Sequence, residues 1–233
     1  MNLSLTKDST RAPTTVQHIY ARAQNLYLST DSMVRKKPIV EFSLPRQIIT
    51  LPSELTFGFD SLSFSTTDNS VQVLNLAVKS PPADLHNVYY MHSDMVRLAH
   101  VNFESLYQKG HLVIDSVFLG KSTISVDWLI DKKKKKDSVT QQGIPALPHM
   151  DIHTIAFKEI VSDVVIRNDS IQNTFKIEHA SLTVDQFRHR PDSSHVIYAP
   201  AYNLLITKYA TSLGGNNASI SFDTIQIQKH SLA

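Results

Sequence analysis

The chain has 233 residues, of which 42% are hydrophobic and 19% are charged, which is enough for one large β domain or two small ones. A formal net charge of only +2 gives no reason to expect nucleic acid as a partner. Cysteine is absent, which excludes disulfides, thiolate metal sites and a cysteine nucleophile.

The amino terminus, MNLSLTKDSTRAPTT, lacks the apolar core of a signal peptide. No stretch of the sequence approaches the roughly 20 apolar residues that a membrane-spanning helix needs. We therefore expect either an intracellular protein or a segment of a longer chain.

The octet FGFDSLSF at 57–64 contains a change of buried face. Phe57 and Phe59 share one face of an extended strand, whereas Leu62 and Phe64 share the opposite face, because side chains alternate with period two. A one-residue β-bulge at the Asp-Ser step would bring both pairs to the same side. A strongly bent strand that passes from one sheet to another would do the same.

Similar octets recur along the chain, most closely at 112–119 (LVIDSVFL) and 220–227 (ISFDTIQI). Several of the octets start 43 or 44 residues apart, a spacing typical of supersecondary repeats. Asp60, Asp115 and Asp223 occupy the same place in their octets, which favours a structural role over a catalytic pair.

Residues 94–109 carry apolar side chains at roughly helical spacing between two possible caps, Ser93 and Gly110. The same region contains VNFESLYQ (101–108), which matches the octet except at Gln108. On this match we expect a strand there.

The segment TISVDWLID (123–131) alternates cleanly, with Ile124, Val126 and Trp128 on one face. Alternation of this kind, bounded by turn residues, predicts antiparallel sheet. Residues 131–150 lack periodicity and contain a lysine run, one glycine and two prolines, which predicts a loop. We expect a single elongated all-β domain over residues 1–233, with this loop between two strand-rich halves.

The sequence offers no catalytic signature. GKST (120–123) lacks the first glycine of a phosphate-binding loop and is interpreted as a turn. His149 and His153 are four residues apart, which on a strand separates them by about 13 Å. No G-x-S-x-G elbow is present. We therefore predict a protein that is not an enzyme and has no cofactor and no metal.

The lysine run is flanked by Asp131 and Asp137. It is interpreted either as a solvated hairpin tip or as a contact with anionic lipid headgroups, where each lysine contributes about 1 kcal/mol. The residues concerned are Lys132, Lys133, Lys134, Lys135 and Lys136.

Short alternating strands with recurring D-S-Φ-x-Φ steps (Φ, apolar) resemble the AsmA-like family of Gram-negative envelope proteins, including TamB relatives. The resemblance rests on NLYL (25–28), FDSLSF (59–64), FESLYQKGHLVIDSVFL (103–119) and ISFDTIQI (220–227). It implies a periplasmic or cell-envelope protein whose long curled sheet is open along one side and shields lipid on an apolar concave face. Members usually carry an amino-terminal membrane anchor, which this sequence lacks, so the resemblance implies an internal or carboxy-terminal segment.

The expected partners are then a phospholipid or another lipid, a membrane surface and envelope proteins, in lipid transport or outer-membrane maintenance. The same alternation fits a closed β-sandwich, a structural or adhesive module that binds a protein or glycan, with exposed tyrosines near Tyr89, Tyr90 and Tyr202. An enzyme would need a polar cleft that the sequence does not reveal. The candidate groove or core residues are Phe57, Phe59, Leu62, Phe64, Leu112, Ile114, Ile124, Val126, Trp128, Ile220 and Phe222.

Overall fold

The computed structural model describes residues 3–5, 14–16, 19–24, 39–50, 55–80, 87–129, 149–168, 171–191, 197–214 and 218–230. These residues form strands and one short helix. The elements are β1 (Leu3–Leu5), β2 (Thr14–Val16), β3 (Tyr20–Gln24), β4 (Ile39–Thr50), β5 (Thr56–Ser65), β6 (Ser70–Lys79), β7 (Asn87–Ala99), α1 (Phe103–Lys109), β8 (His111–Leu129), β9 (His149–Arg167), β10 (Gln172–His189), β11 (Ile197–Tyr198), β12 (Ala201–Leu213) and β13 (Ala218–Lys229).

Eleven strands form one open sheet, and β1 and β2 form a separate two-stranded pair. The order across the large sheet is β3-β4-β5-β6-β7-β8-β9-β10-β12-β13, with β11 paired to the end of β10. The prediction of an all-β, elongated and mainly antiparallel sheet is confirmed. The described strands make one large sheet, whereas the sandwich alternative requires two sheets of similar size packed face to face. Within the described ranges, no helix is long and apolar enough to cross a bilayer.

One pair of neighbours in the sheet, β8 and β9, is parallel, and every other pair is antiparallel. Both strands have 19 residues. Because they run in the same direction, the end of β8 at Leu129 and the start of β9 at His149 lie at opposite ends of the pair. The predicted loop at 131–150 was too long at its end, because 149–150 already belong to β9. Residues 131–148, including the lysine run, lie outside the described residues.

The face switch in FGFDSLSF arises from a bend that preserves the register. Gly58 pairs with Ala77 and Ser61 pairs with Leu74, so two residues lie between these pairs on each strand. A one-residue bulge would have left unequal numbers. Asp60 is exposed opposite Asn75, which adopts φ 51° and donates a hydrogen bond to the Asp60 carboxylate at 2.8 Å. The register thus excludes the predicted one-residue bulge at this step, and the strand bends within one sheet instead of passing from one sheet to another.

The bend continues across the sheet because each neighbouring strand turns at the same row. On every strand, one charged or amide side chain points outward at the bend, and the inward side chains on either side of it are three residues apart. Lys121 lies 3.2 Å from Glu159, and Lys208 lies 3.7 Å from Glu178. We call this line the outer ridge; it comprises Arg46, Asp60, Asn75, Asp94, Lys121, Glu159, Glu178, Lys208 and Asp223.

The outer ridge shifts along the strands between β9 and β10. Two residues of β10 lie opposite one of β9 between Ile177 and Ala180, and the reverse holds between Ala180 and Leu182. These two compensating bulges move the bend and then restore the register. Bulges therefore do occur in the sheet, but they displace the bend line instead of creating it.

A second bend line runs across the strands, and on β8 and β9 it lies six residues from the first. It consists of His100, Asp115, His153 and Gln186, all exposed, with Gln186 at φ 56° and His100 at φ 53°. The register is again the same on both sides of this line. Asp115 in LVIDSVFL therefore belongs to a different bend from Asp60 and Asp223, although the three octets look alike.

The prediction of a strand over VNFESLYQ was wrong, because Phe103–Lys109 forms α1. The Asn102 side chain accepts a hydrogen bond from the Ser105 backbone N–H at 2.9 Å, which caps the start of the helix. Gly110 ends it in the left-handed conformation at φ 63°. The Phe103 ring packs edge-on against Phe64 at 4.5 Å, so α1 covers part of the inward face of the sheet.

The interpretation of GKST as a turn was also wrong, since 120–123 lies within β8. A Cβ at Gly120 would overlap the carboxylate of Asp94 on the neighbouring strand, so that exposed side chain would have to move. The glycine therefore serves the packing of the outer ridge and not the binding of phosphate.

We expect Gly120→Ala to lower the free energy of unfolding by up to about 1 kcal/mol, because the exposed Asp94 side chain must move away from the new methyl group. Asp94→Ala is expected to be nearly neutral, because Asp94 is exposed. The double variant Asp94→Ala/Gly120→Ala should recover most of the loss, because it removes the overlapping carboxylate. Urea denaturation of the four proteins measures the cycle, and strictly additive effects would contradict this role for Gly120.

Substitution of Lys208 measures the free energy that the backbone conformation at the bend costs, because Lys208 adopts φ 59°. Lys208→Val should lower the free energy of unfolding by about 1–3 kcal/mol, since a β-branched residue is strained in the left-handed region. Lys208→Gly should match or exceed the wild type, because its ion pair with Glu178 is exposed and contributes little. Lys176→Val on β10, an exposed lysine outside the left-handed region, is the matched control. Equal stability of the two valine variants in chemical denaturation would refute this assignment.

Candidate functional site: an apolar trough

The bends turn the apolar side chains of successive strands toward the same concave side of the sheet. Cross-strand pairing then aligns these side chains in rows that run across the sheet. One row crosses nine adjacent strands without a polar residue, and we call it the floor row. It comprises Leu44, Leu62, Val73, Val96, Leu119, Phe157, Leu182, Leu204 and Ile227.

Two further rows accompany the floor row, and we call the three rows together the apolar trough. The row toward the second bend line contains Phe42, Phe64, Val71, Leu98, Val117, Ile155, Val184 and Tyr202. The first row beyond the outer ridge includes Gln47, Ser93 and Ser122 among apolar residues, and it is not counted in the trough. The second row beyond the ridge contains Ile49, Phe57, Val78, Met91, Ile124, Ser162, Ile177, Tyr209 and Phe222. Ser162 is the single residue in the two rows with neither an aliphatic nor an aromatic side chain.

The dimensions of the trough follow from the spacing of strands. Neighbouring strands lie about 4.8 Å apart, so the eight spacings of the floor row span about 38 Å. The hydrocarbon core of a bilayer is about 30 Å thick and is filled by two opposed acyl chains, so one chain occupies about 15 Å. The trough is therefore longer than a single lipid tail.

The apolar trough is only partly covered. Its most buried members lie on β8 and β9, where Leu119, Ser162 and Val117 are 7%, 8% and 9% exposed. The other members on β4 to β12 are half-buried, and Phe222 and Ile227 on β13 are 49% and 45% exposed. A filled sandwich core would bury such residues almost completely. Solvent thus reaches much of the apolar surface.

A small compact core lies at one end of the central strands. Val101 and Ile114 are each 3% exposed and form a cluster with Val117, Leu119 and Ile152. Phe103 of α1 packs against this cluster. The helix therefore closes the sheet over β8 and leaves the trough uncovered on the strands to either side.

All eleven candidate groove residues lie on the inward side of the bent strands, but their exposure differs. Phe59 and Ile114 are buried, at 7% and 3% exposure. Trp128 at the end of β8 and Ile220 on β13 are 49% and 44% exposed. The half-buried members are Phe57, Leu62, Phe64, Leu112, Ile124 and Val126, and the remaining exposed one is Phe222.

The sequence analysis missed most of the floor row. Val73, Val96 and Leu182 lie in half-buried strands whose alternation is visible in the sequence, but only the register shows that they adjoin. It also missed two serines, Ser93 and Ser122, which have no exposed surface. Ser122 donates to Ser93 at 3.2 Å, and Ser93 donates to the carbonyl of Met95 at 3.0 Å. Both hydroxyls are therefore satisfied inside an apolar face.

Among the described residues, His100, Asp115, Asp151, His153 and Arg188 line one open pocket, in which His100 lies 3.5 Å from Asp115. No group of three or more His, Asp and Glu side chains within it is placed to hold a metal ion. His149 and His153 both lie on β9, where the strand separates them. Asp151 contacts Arg190 at 2.6 Å and His111 at 2.9 Å, on the outward side of the sheet.

The tyrosines proposed as an adhesive patch do not lie together. Tyr89 and Tyr90 are on β7, Tyr202 is on β12, and three strands separate them. Lys79 lies 5.6 Å from the centre of the Tyr90 ring, and Tyr202 belongs to the trough. Comparison with protein-family models, curated proteins and solved structures finds no match to the chain.

Proposed function

We propose that the protein shields the acyl chains of a lipid in its apolar trough and lets them move along it, without covalent chemistry. One observation carries this proposal: nine apolar side chains adjoin in one row across nine strands and stay partly exposed to solvent. Exposed apolar surface of this extent is a liability in a soluble protein unless a ligand or partner covers it.

The energy available to such a ligand is substantial. Each methylene transferred from water to an apolar surface gains about 0.8 kcal/mol. Ten methylenes covered in this way would gain about 8 kcal/mol, which offsets much of the cost of leaving a membrane. The gain depends on area and has no direction, so it does not select one lipid tail over another.

The arrangement of rows also supports movement of the lipid along the trough. The floor row presents Leu, Val, Phe and Ile in sequence, so an acyl chain that advances by one strand exchanges one apolar contact for another. The charged residues of the outer ridge point to the opposite side of the sheet. No desolvated polar group then interrupts the path across the described strands, and the barrier to sliding stays low.

The family resemblance is compatible with this proposal and adds a setting for it. In an AsmA-like protein of the envelope, a trough of this kind would carry phospholipid across the aqueous space between two membranes. The membrane surface and other envelope proteins would then be the partners at which lipid enters and leaves.

Native mass spectrometry of the chain, expressed in a lipid-rich host and purified gently, tests the proposal. We expect species heavier than the protein by the mass of one or more phospholipids. A clean protein mass, with no uptake after incubation with phospholipid vesicles, would instead favour a structural or adhesive module.

Two adjacent leucines on β12 provide a matched pair of variants. Leu204 lies in the floor row and is half-buried, whereas Leu205 points outward and is 36% exposed. Leu204→Gln should weaken binding of a fluorescent fatty-acyl probe by about tenfold, because a polar amide buried under lipid costs about 1–3 kcal/mol. Leu205→Gln should leave the affinity unchanged.

The double variant Leu182→Gln/Leu204→Gln should weaken the affinity further, since its two substitutions are neighbours in the floor row. Circular dichroism checks that each variant keeps its strands. Equal affinities for Leu204→Gln and Leu205→Gln would show that the probe does not lie in the trough.

A further inference from the structure

The sheet ends on β13, a long strand whose outer edge carries no partner among the described strands. It spans 12 residues, Ala218–Lys229, and all but Ile225 are exposed. The opposite edge strand, β3, has five residues. An unpaired strand edge presents a row of backbone N–H and C=O groups that can pair with another strand.

β13 has few of the features that protect sheet edges from pairing. It contains no proline, and its charged residues are Asp223 and the terminal Lys229. Its register with β12 is unbroken from end to end. Its inward residues Ile220, Phe222 and Ile227 are 44%, 49% and 45% exposed. Long strand edges with few charges and exposed apolar side chains are typical of strands that acquire a neighbour.

The sequence of β13 is close to a palindrome about its own bend. In ISFDTIQI the inward residues Ile220 and Phe222 precede the Asp223-Thr224 step, and Ile225 and Ile227 follow it. An antiparallel pairing of β13 with a second β13, centred on this step, places Phe222 opposite Ile225 and Ile220 opposite Ile227. Both apolar pairs then match on the same face.

The bend of β13 and the side on which its apolar face lies restrict how two copies of this strand can pair. Antiparallel neighbours in this sheet bend at the same row, as Lys208 and Asp223 do on β12 and β13. Only the register centred on Asp223-Thr224 aligns the bends of two copies of β13. A parallel pairing of the same two edges would turn the apolar face of one copy to the opposite side of the sheet. The antiparallel pairing keeps both on one side, related by a two-fold axis perpendicular to the sheet.

We propose that β13 is a homodimer interface, in which two copies pair antiparallel through Asp223-Thr224 and join their sheets and troughs. The contact is isologous and therefore closed, so it produces dimers and does not produce larger assemblies. On the outer face it sets Ser221 opposite Gln226 of the second copy, and the same pair occurs twice across the axis. This inference does not depend on what the trough binds.

The double occurrence of the Ser221–Gln226 pair allows a charge test. Ser221→Lys/Gln226→Lys places like charges opposite each other twice, and should raise the dimer dissociation constant by roughly tenfold. Ser221→Lys/Gln226→Glu places opposite charges there twice, and should keep the constant near or below that of the wild type. Both positions are exposed in the single chain, so neither variant should change its fold.

The measurements are sedimentation equilibrium over a range of protein concentrations, and hydrogen exchange of residues 218–229. We expect a wild-type dimer, protection of β13 amides that increases with protein concentration, and opposite effects of the two double variants. A wild-type protein that is monomeric at all concentrations, an open-ended series of oligomers, or a dimer equally stable in both variants would overturn the proposal.

Discussion

The structure depends on one geometric constraint: a hydrogen-bonded sheet can bend sharply only where all of its strands bend together. If Asp60 turned outward while the strand beside it ran straight, the ladder between them would lose its register and its apolar face would rotate to the solvent side. Asn75, Asp94 and Lys208 lie at the bends of their own strands. Asn75 and Lys208 adopt positive φ angles, which are uncommon for residues other than glycine. Short polar or charged side chains suit these positions because they remain in water on the convex side.

The outer ridge and the apolar trough are two results of the same bends. Pairs such as Lys121–Glu159 and Lys208–Glu178 are partly or fully exposed, so each contributes little to the free energy of unfolding. The stability comes from the opposite face, where the bends bring apolar side chains of neighbouring strands together. Among the described elements, α1 is the one that lies on that face, and the described strands form a single layer. A protein built in this way exposes a continuous apolar path as a direct result of its architecture.

The sequence reveals the local features of this fold more readily than the relations between distant strands. The octet at 57–64 predicts a switch of face at Asp60, and the alternation around Ile124 predicts a half-buried strand; both are correct. The strand predicted over VNFESLYQ was wrong because the apolar spacing of this segment fits either a strand or a short helix. The residues that distinguish the two are the helix caps Asn102 and Gly110. The floor row could not be predicted, because an alternating strand carries no information about which neighbour it meets. For the same reason the sequence did not reveal that β8 and β9 run in the same direction.

That parallel pair has a consequence for how the chain assembles. Most neighbouring strands are joined by short hairpins, but β8 and β9 pair residues 38 positions apart, as His111 and His149 are. Closing a longer loop costs more entropy before any contact compensates for it, and contacts distant in sequence slow folding. We therefore expect two meanders, one on each side of this pair, to form early and to dock along β8 and β9 in the slow step. The parallel pair of β8 and β9 is then the last interface of the sheet to form.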